Sequence, residues 1–96
     1  MSRAYWVSSY RAIHDPEKLA AYAALAGPAI QAKGGEFLAR GTAHYASGIG
    51  LIERTVIVQW PDLAAAEGAY HSPEYQTALA ALADGVERDF RIIEGV

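Results

Sequence analysis

The order in which strand-like and helix-like segments follow one another constrains this chain more than any other feature of its sequence. Residues 3–11 are dense in aromatic and β-favouring side chains and predict a first strand. Asp15 and Pro16 are typical of the N-cap and first position of a helix, which an apolar stripe carries forward to the glycine pair at 34–35. Inside this helix the dipeptide at 27–28, Gly-Pro, predicts a kink or a break, because proline lacks an amide hydrogen and crowds the preceding turn.

The second half of the chain continues this alternation. Residues 36–46 and 51–60 predict two strands, and the glycine-rich stretch between them suits a hairpin. Asp62 predicts the start of a short helix over residues 63–70. Ser72, which is followed by proline, predicts the start of another.

A last strand is predicted at residues 89–94, which completes the series strand, helix, strand, strand, helix, strand. This series is that of the ferredoxin-like α+β fold, with the order βαββαβ and a four-stranded antiparallel sheet that carries its helices on one face. A length of 96 residues suits one such domain, spanning residues 1–96.

Apolar side chains occupy both parities of the predicted strands. In the first strand Tyr5 and Val7 alternate with Trp6 and Tyr10, and the third and last strands show a similar mixture. A sheet with one face in water alternates more cleanly between apolar and polar residues. We therefore expect a second copy of the chain to cover the helix-free face, which gives a homodimer with its sheets packed face to face.

The composition excludes several classes of function. The formal net charge is −3 and the eight Lys and Arg residues are scattered, so no nucleic-acid surface is expected. Apolar runs are far shorter than the roughly 18 residues of a membrane span, so we expect no membrane partner and a cytoplasmic protein. The chain has no cysteine, its three histidines lie in separate predicted elements, and its glycine pairs lack a nucleotide-loop pattern. Neither a thiolate nucleophile, a metal site nor a bound cofactor is expected.

Several short blocks of sequence, spread over nearly the whole chain, together resemble one known family. The blocks are Ala4-Tyr5-Trp6, Asp15-Pro16, Lys33-Gly34-Gly35, Phe37-Leu38, Arg40-Gly41, Glu53-Arg54, Trp60-Pro61 and Tyr70-His71-Ser72-Pro73-Glu74-Tyr75-Gln76. They resemble the domain-of-unknown-function family DUF1330, which is similar to the dimeric α+β-barrel superfamily. The resemblance implies ferredoxin-like protomers that pair through their sheets. It implies no catalytic residues, because superfamily relatives range from cofactor-independent monooxygenases to isomerases and ligand-binding modules.

A first candidate site consists of His71, Ser72 and Glu74 at the start of the last predicted helix. A helix N-terminus offers free N–H groups and partial positive charge, and a histidine titrates near neutral pH, so these residues predict a small anion-binding or acid–base site. The alternative is a plain helix corner, in which Ser72 only caps the helix and His71 lies on the surface.

A second candidate site consists of Arg40, His44 and Arg54. A hairpin that turns near Gly48 places the first two beside the third and sets His44 roughly opposite Glu53. Arginine side chains offer bidentate donors to a carboxylate or enolate ligand at the sheet surface or dimer interface. The alternative is a set of structural ion pairs, such as Arg54 or His44 with Glu53.

Function is thus predicted only by class. We expect a small-molecule-binding protein, or a cofactor-independent enzyme, that takes a small organic anion, with aromatic side chains lining the pocket. The alternative is a non-catalytic dimeric structural or interaction module. Arg40, Arg54 and His71 distinguish the two: unpaired donors around a partly apolar cavity favour ligand binding, whereas solvated or ion-paired side chains favour the module.

Overall fold

In the computed structural model, which describes residues 2–96, the helices cover one face of a four-stranded antiparallel sheet. The elements are β1 (Ala4–Ile13), α1 (Pro16–Ala32), β2 (Glu36–Thr42), β3 (Arg54–Trp60), α2 (Leu63–Tyr70), α3 (Pro73–Leu82) and β4 (Val86–Glu94). The strands lie in the order β2-β3-β1-β4, and every neighbouring pair is antiparallel. The predicted ferredoxin-like α+β fold is confirmed.

Local sequence explains where the helices begin and end. The Asp15 carboxylate accepts hydrogen bonds from the backbone N–H groups of Glu17 and Lys18, at 3.0 and 3.2 Å. Asp62 caps α2 in the same way, with an N–H of the first turn 2.8 Å away. After α1 the chain turns at Gly34, whose φ of +98° lies in the left-handed region that glycine adopts without strain.

The predicted break in α1 is absent, because the helix runs without interruption through Pro28. Proline removes the bond that residue 28 would donate to the carbonyl of Ala24. Ala24 is exposed, so water can replace that bond and the helix continues.

The strand ends also differ from the prediction. β4 begins at Val86, three residues earlier than expected, because β1 extends far enough for Ile13 to pair with it. β2 already ends at Thr42, so the connection to β3 is a long loop over residues 43–53 rather than a tight hairpin.

The core lies between the helices and the even-numbered residues of β1. Trp6 is at its centre: its indole Nε1 donates to the carbonyl of Ala66 at 2.9 Å, and its ring lies 4.8 Å from those of both Trp60 and Tyr75. The buried core residues are Ala4, Trp6, Tyr22, Ala26, Ile30, Val58, Trp60, Ala66, Ala69, Tyr75, Ala78 and Leu82.

The helix-free face of the sheet is formed by the odd-numbered residues of β1 and their partners. Tyr5 pairs with Ile93, and Val7 pairs with Ile57 and Arg91. Ile93 is 57% exposed in the single chain. This face therefore presents apolar side chains to whatever covers it.

Candidate functional site

A pocket lies between α1 and the helix-facing side of the sheet. Its cavity volume is about 40 Å³, and the pocket is partly open to solvent. Its lining is aromatic and aliphatic except for three arginines and a few hydroxyl groups. The lining residues are Trp6, Ser8, Tyr10, Tyr22, Ala23, Ala26, Gly27, Ile30, Phe37, Arg40, Arg54, Val56, Val58, Arg88 and Phe90.

The sheet register brings the polar residues of the pocket together. Arg40, Val56, Ser8 and Phe90 are paired successively across all four strands and form one row. The next row holds Tyr10 paired with Arg88, and Arg54 continues it from β3, since its neighbour Thr55 pairs with Ser9. Alternation along each strand then aims both rows at α1.

The pocket exists because α1 presents small side chains above these rows. Ala23, Ala26 and Gly27 line the helix side of the pocket. A Cβ atom built on Gly27 would meet no atom within 4 Å. The helix thus leaves space where larger residues would fill the core.

Arg54 carries an unsatisfied donor in this pocket. Its Nε atom is buried and has no hydrogen-bond partner. Its guanidinium carbon lies 5.7 Å from the centre of the Tyr10 ring. Burying a polar hydrogen without an acceptor costs free energy. The Nε–H of Arg54 is therefore available to donate to an acceptor that enters the pocket.

Arg40 lies at the exposed side of the pocket. Its guanidinium carbon is 4.3 Å from the centre of the Phe37 ring, a cation–π contact that holds the side chain over the sheet. Neither Arg40 nor Arg54 takes part in an ion pair among the residues that the structure describes.

Arg88 is held by neutral oxygens instead of a carboxylate. Its Nη1 donates to Ser8 Oγ at 3.3 Å and to Tyr22 Oη at 3.2 Å, and its Nη2 donates to Tyr75 Oη at 3.0 Å. The two phenol oxygens are themselves hydrogen-bonded at 2.7 Å. Arg88 also lies 5.9 Å from the Tyr10 ring centre, so the guanidinium groups of both Arg54 and Arg88 lie within about 6 Å of that ring.

The protonation states within this cluster follow from its surroundings. Burial opposes the charge on Arg88, but the hydroxyl oxygens of Tyr22 and Tyr75 more than offset it, and the pKa of Arg88 lies above its ordinary value. Burial also raises the pKa of Tyr75, whose phenol stays protonated at neutral pH. The pocket therefore combines three cationic guanidinium groups with neutral hydroxyls, and its lining includes no Asp or Glu.

The family model described as Domain of unknown function (DUF1330) matches residues 3–96. The chain belongs to the DUF1330 family. The predicted family resemblance is thereby confirmed. Among curated proteins, none matches the sequence at a significant level.

Several solved structures share the fold of this chain. A protein of unknown function from Rhodopseudomonas palustris has a TM-score of 0.78 and 17% identity, over 99% of this chain and 83% of its own. SnoaB, a cofactor-independent oxygenase from Streptomyces nogalater, has a TM-score of 0.67 and 14% identity, over 97% and 92%. A suggested antibiotic biosynthesis monooxygenase from Caulobacter crescentus has a TM-score of 0.65 and 13% identity, over 99% and 91%. At these identities the likeness establishes the fold.

The first predicted site lies apart from this pocket, since none of its three residues lines it. Ser72 is buried and caps α3, accepting from the N–H of Tyr75 at 3.3 Å and donating to a carbonyl at 2.7 Å. Glu74 is paired with Lys33 at 3.3 Å. His71 is exposed and its ring stands edge-on to Tyr70.

The second predicted site is brought together in part. Arg40 and Arg54 both line the pocket, whereas His44 lies exposed in the loop after β2. The observed register pairs Thr42 with Arg54, and the N–H of Ala43 donates to the carbonyl of Glu53. This register is shifted by one residue from the predicted one.

Sequence reasoning missed Arg88 and Ser8 as pocket residues. Arg88 alternates with Val86 and Phe90, a signal of a helix-facing position that went unused because the last strand was predicted to start at residue 89. Ser8 is a small polar residue between two inward aromatics, which marks a gap in the core.

The described residues contain no group of three His, Asp or Glu side chains arranged to hold a metal ion. No helix between residues 2 and 96 is long and apolar enough to cross a membrane.

Proposed function

We propose that this protein is a small-molecule-binding protein, or a cofactor-independent enzyme, whose ligand is a small organic anion held in the pocket between α1 and the sheet. The observation that carries the proposal is the buried, unpartnered Nε of Arg54 in a pocket that has two further guanidinium groups and no carboxylate in its lining. An anion supplies the missing acceptor and balances the charge.

The predicted residues Arg40 and Arg54 are the proposed anchors for the anionic group. They lie on neighbouring strands one row apart, since Arg40 pairs with Val56 and Thr42 pairs with Arg54. A carboxylate between two such side chains can accept charge-assisted hydrogen bonds from both. His44, His71, Ser72 and Glu74 are not included in this proposal.

The rest of the pocket favours a flat, partly apolar ligand. Trp6, Tyr10, Phe37 and Phe90 contribute ring surfaces. Over the middle of the pocket α1 contributes small side chains, with Tyr22 and Ile30 on either side of them in the helix. A planar ring fits such walls better than a flexible polar chain does. We therefore propose an aromatic or conjugated carboxylic acid as the ligand class.

Chemistry without a bound cofactor is compatible with this fold, since SnoaB has the same fold and is a cofactor-independent oxygenase. Fold likeness alone does not transfer that reaction. The alternative of a module without chemistry predicts a pocket that binds no small molecule.

A thermal-shift comparison of aromatic carboxylates with their carboxamides tests the proposal. We expect some carboxylates to raise Tm in a concentration-dependent way and the matched carboxamides to raise it much less, because only ligand bound to the folded state stabilises it. The Arg54→Gln variant should lose the response, and Arg3→Gln, at an exposed position outside the pocket lining, should keep it. Equal responses to acids and amides would contradict the proposal, as would no response to any acid.

We further infer that the protein is a homodimer through the helix-free face of the sheet. The supporting observation is the group of apolar side chains on that face, which includes Val7 beside Ile57 and the largely exposed Ile93. A monomer that left this surface in water would expose an apolar patch of the kind that marks interfaces. Pairing through this face leaves the pocket, on the opposite side, accessible.

A further inference from the structure

Two hydroxyl groups at the inner end of the pocket accept hydrogen bonds from the same nitrogen atom of Arg88. Ser8 Oγ and Tyr22 Oη both accept from Nη1 of Arg88, at 3.3 and 3.2 Å. Both residues are buried and both line the pocket. Each hydroxyl therefore has a lone pair directed at the guanidinium and one hydrogen of its own to place.

The hydrogen of Tyr22 can be assigned by accounting for the neighbouring phenol. Tyr22 and Tyr75 share one hydrogen bond of 2.7 Å, which uses the hydrogen of one of them. Tyr75 is 1% exposed and does not line the pocket, and among residues 2–96 its phenol oxygen has only Tyr22 and Arg88 as partners. If Tyr22 donated, the Tyr75 hydrogen would be buried without an acceptor, at a cost that the opposite arrangement avoids. Tyr75 therefore donates to Tyr22, and the hydrogen of Tyr22 is left for the pocket.

The hydroxyl hydrogen of Ser8 is also available to the pocket. Its oxygen accepts from Arg88, and no acceptor for its hydrogen is found among the described residues. A serine hydroxyl carries one donor and two acceptor sites, so the remaining hydrogen can turn towards the pocket. Two polarised donors thus lie side by side, both held by Arg88.

We propose that the hydroxyls of Ser8 and Tyr22 form an oxyanion-binding pair, positioned by Arg88, that receives a phenolate, enolate or carbonyl oxygen of the ligand. The proposal rests on the proposed function and adds a second recognition point to it. Donors that are fixed in advance, in a largely water-free site, stabilise developing negative charge on oxygen more than water does. Arg88 adds its charge from behind without giving up its own partners.

The two recognition points together define the ligand class more narrowly. The carboxylate binds at Arg40 and Arg54, towards the open side of the pocket. The second oxygen binds at Ser8, on β1, and Tyr22, on α1. The ligand is then a hydroxy-aryl carboxylic acid or an enolisable oxo acid. A simple aromatic acid without the second oxygen fills only one of the two points.

A coloured probe tests this pair directly. The compound 5-hydroxy-2-nitrobenzoate carries a carboxylate and a para-nitrophenol, whose phenolate absorbs visible light and so reports its ionisation. Para-nitrophenol lacks the carboxylate, and 2-nitrobenzoate lacks the hydroxyl. Spectra of the hydroxyl-bearing probes at saturating wild-type protein, recorded across neutral pH, should show a phenol pKa lowered on binding by about one unit or more, equivalent to about a tenfold preference for the phenolate.

Matched variants identify the groups responsible. Tyr22→Phe and Ser8→Ala should each abolish most of this pKa change, while the affinity for 2-nitrobenzoate stays within about threefold of wild type. Tyr5→Phe, which removes a phenol from the helix-free face, should leave the change intact. If Tyr22→Phe does not fold by circular dichroism, Ser8→Ala, the smaller change, decides the result.

The outcomes separate this inference from the proposed function. Binding of 2-nitrobenzoate without any lowering of the bound phenol pKa would overturn the oxyanion pair and leave the carboxylate site standing, as would a shift that survives both substitutions. Failure of 2-nitrobenzoate to bind would overturn the carboxylate site. A lowered pKa of para-nitrophenol bound to the Arg54→Gln variant would still support the oxyanion-binding pair of Ser8 and Tyr22.

Discussion

Arg88 is the residue on which the inner end of the pocket depends. Its guanidinium satisfies three hydroxyl oxygens, from β1, α1 and α3, and so joins the sheet to both long helices. Because its partners are neutral, its positive charge is not cancelled by an ion pair within the cluster. One side chain thus provides both cohesion and electrostatic potential.

Replacing Arg88 with lysine should therefore weaken both stability and binding. A single ammonium cannot reproduce the planar fork that reaches Ser8, Tyr22 and Tyr75, so we expect a loss of about 1–3 kcal/mol in the free energy of unfolding. Urea unfolding followed by fluorescence measures this loss, with Arg3→Lys as the control. Unchanged stability in Arg88→Lys would show that the observed hydrogen bonds carry no net energy.

Glu74 tests whether the first predicted site is structural. Its own backbone N–H at the start of α3, and then Lys33, hold the pKa of Glu74 below its ordinary value of 4.5. Because the folded-state pKa is the lower one, the ionised carboxylate adds stability above the ordinary value, and this contribution is lost as pH falls through the folded-state value. Wild type should be more stable than Glu74→Gln near pH 7, and the two should converge in acid.

Urea midpoints of both proteins, measured between about pH 3 and pH 7, provide the comparison. A pH-independent difference would contradict the assigned pKa direction. Loss of ligand binding in Glu74→Gln, without loss of stability, would instead indicate that the first predicted site takes part in ligand binding.

At the scale of elements, α1 decides whether the pocket is open. Gly27 lies over the sheet, and the space around its missing side chain is empty to 4 Å. Gly27→Ala should raise the free energy of unfolding by about 0.5–1 kcal/mol, since alanine favours the helix and no clash results. Gly27→Leu should keep the fold but lower ligand affinity at least about tenfold by filling space in the pocket.

Titration calorimetry and thermal unfolding measure the two effects, with Ala21→Leu on the exposed side of α1 as the control. Ligand affinity in Gly27→Leu equal to that of wild type would mean that the ligand does not bind under α1.

The elements also show how far the sequence alone could lead. The caps at Asp15, Asp62 and Ser72 are local and were predicted correctly, since a side chain there bonds to its own next turn. The pocket was found only in part, because it depends on register and on strand length. A strand predicted three residues too short hid Arg88. Gly27, which with Pro28 predicted a kink or a break, instead leaves space in the pocket.

At the scale of the whole molecule, the two faces of the sheet have different structural roles. The helix-facing side carries the core and the pocket, and the helix-free side carries apolar groups around Val7. Ile57→Glu places a charge beside Val7 in the proposed interface, and its cross-strand neighbours Val7 and Ala39 carry no charge. We expect light scattering to give a dimer mass for wild type and a monomer mass for Ile57→Glu, because a buried unpaired carboxylate is costly.

Leu25→Glu is the matched control, since Leu25 is 45% exposed on α1, away from the sheet. It should remain dimeric. A monomer mass for wild type at micromolar concentration would contradict the face-to-face dimer.

In the proposed site, Arg54 recognises the negative charge of the ligand. The most direct measurement is a calorimetric cycle that combines wild type and Arg54→Gln with an aromatic carboxylate that binds and its carboxamide. Neutralising the ligand should cost wild type about 1.5–3 kcal/mol, roughly ten- to a hundredfold in affinity, and Arg54→Gln much less. Equal losses in both proteins would mean that Arg54 does not contact the carboxylate and would contradict the proposed site.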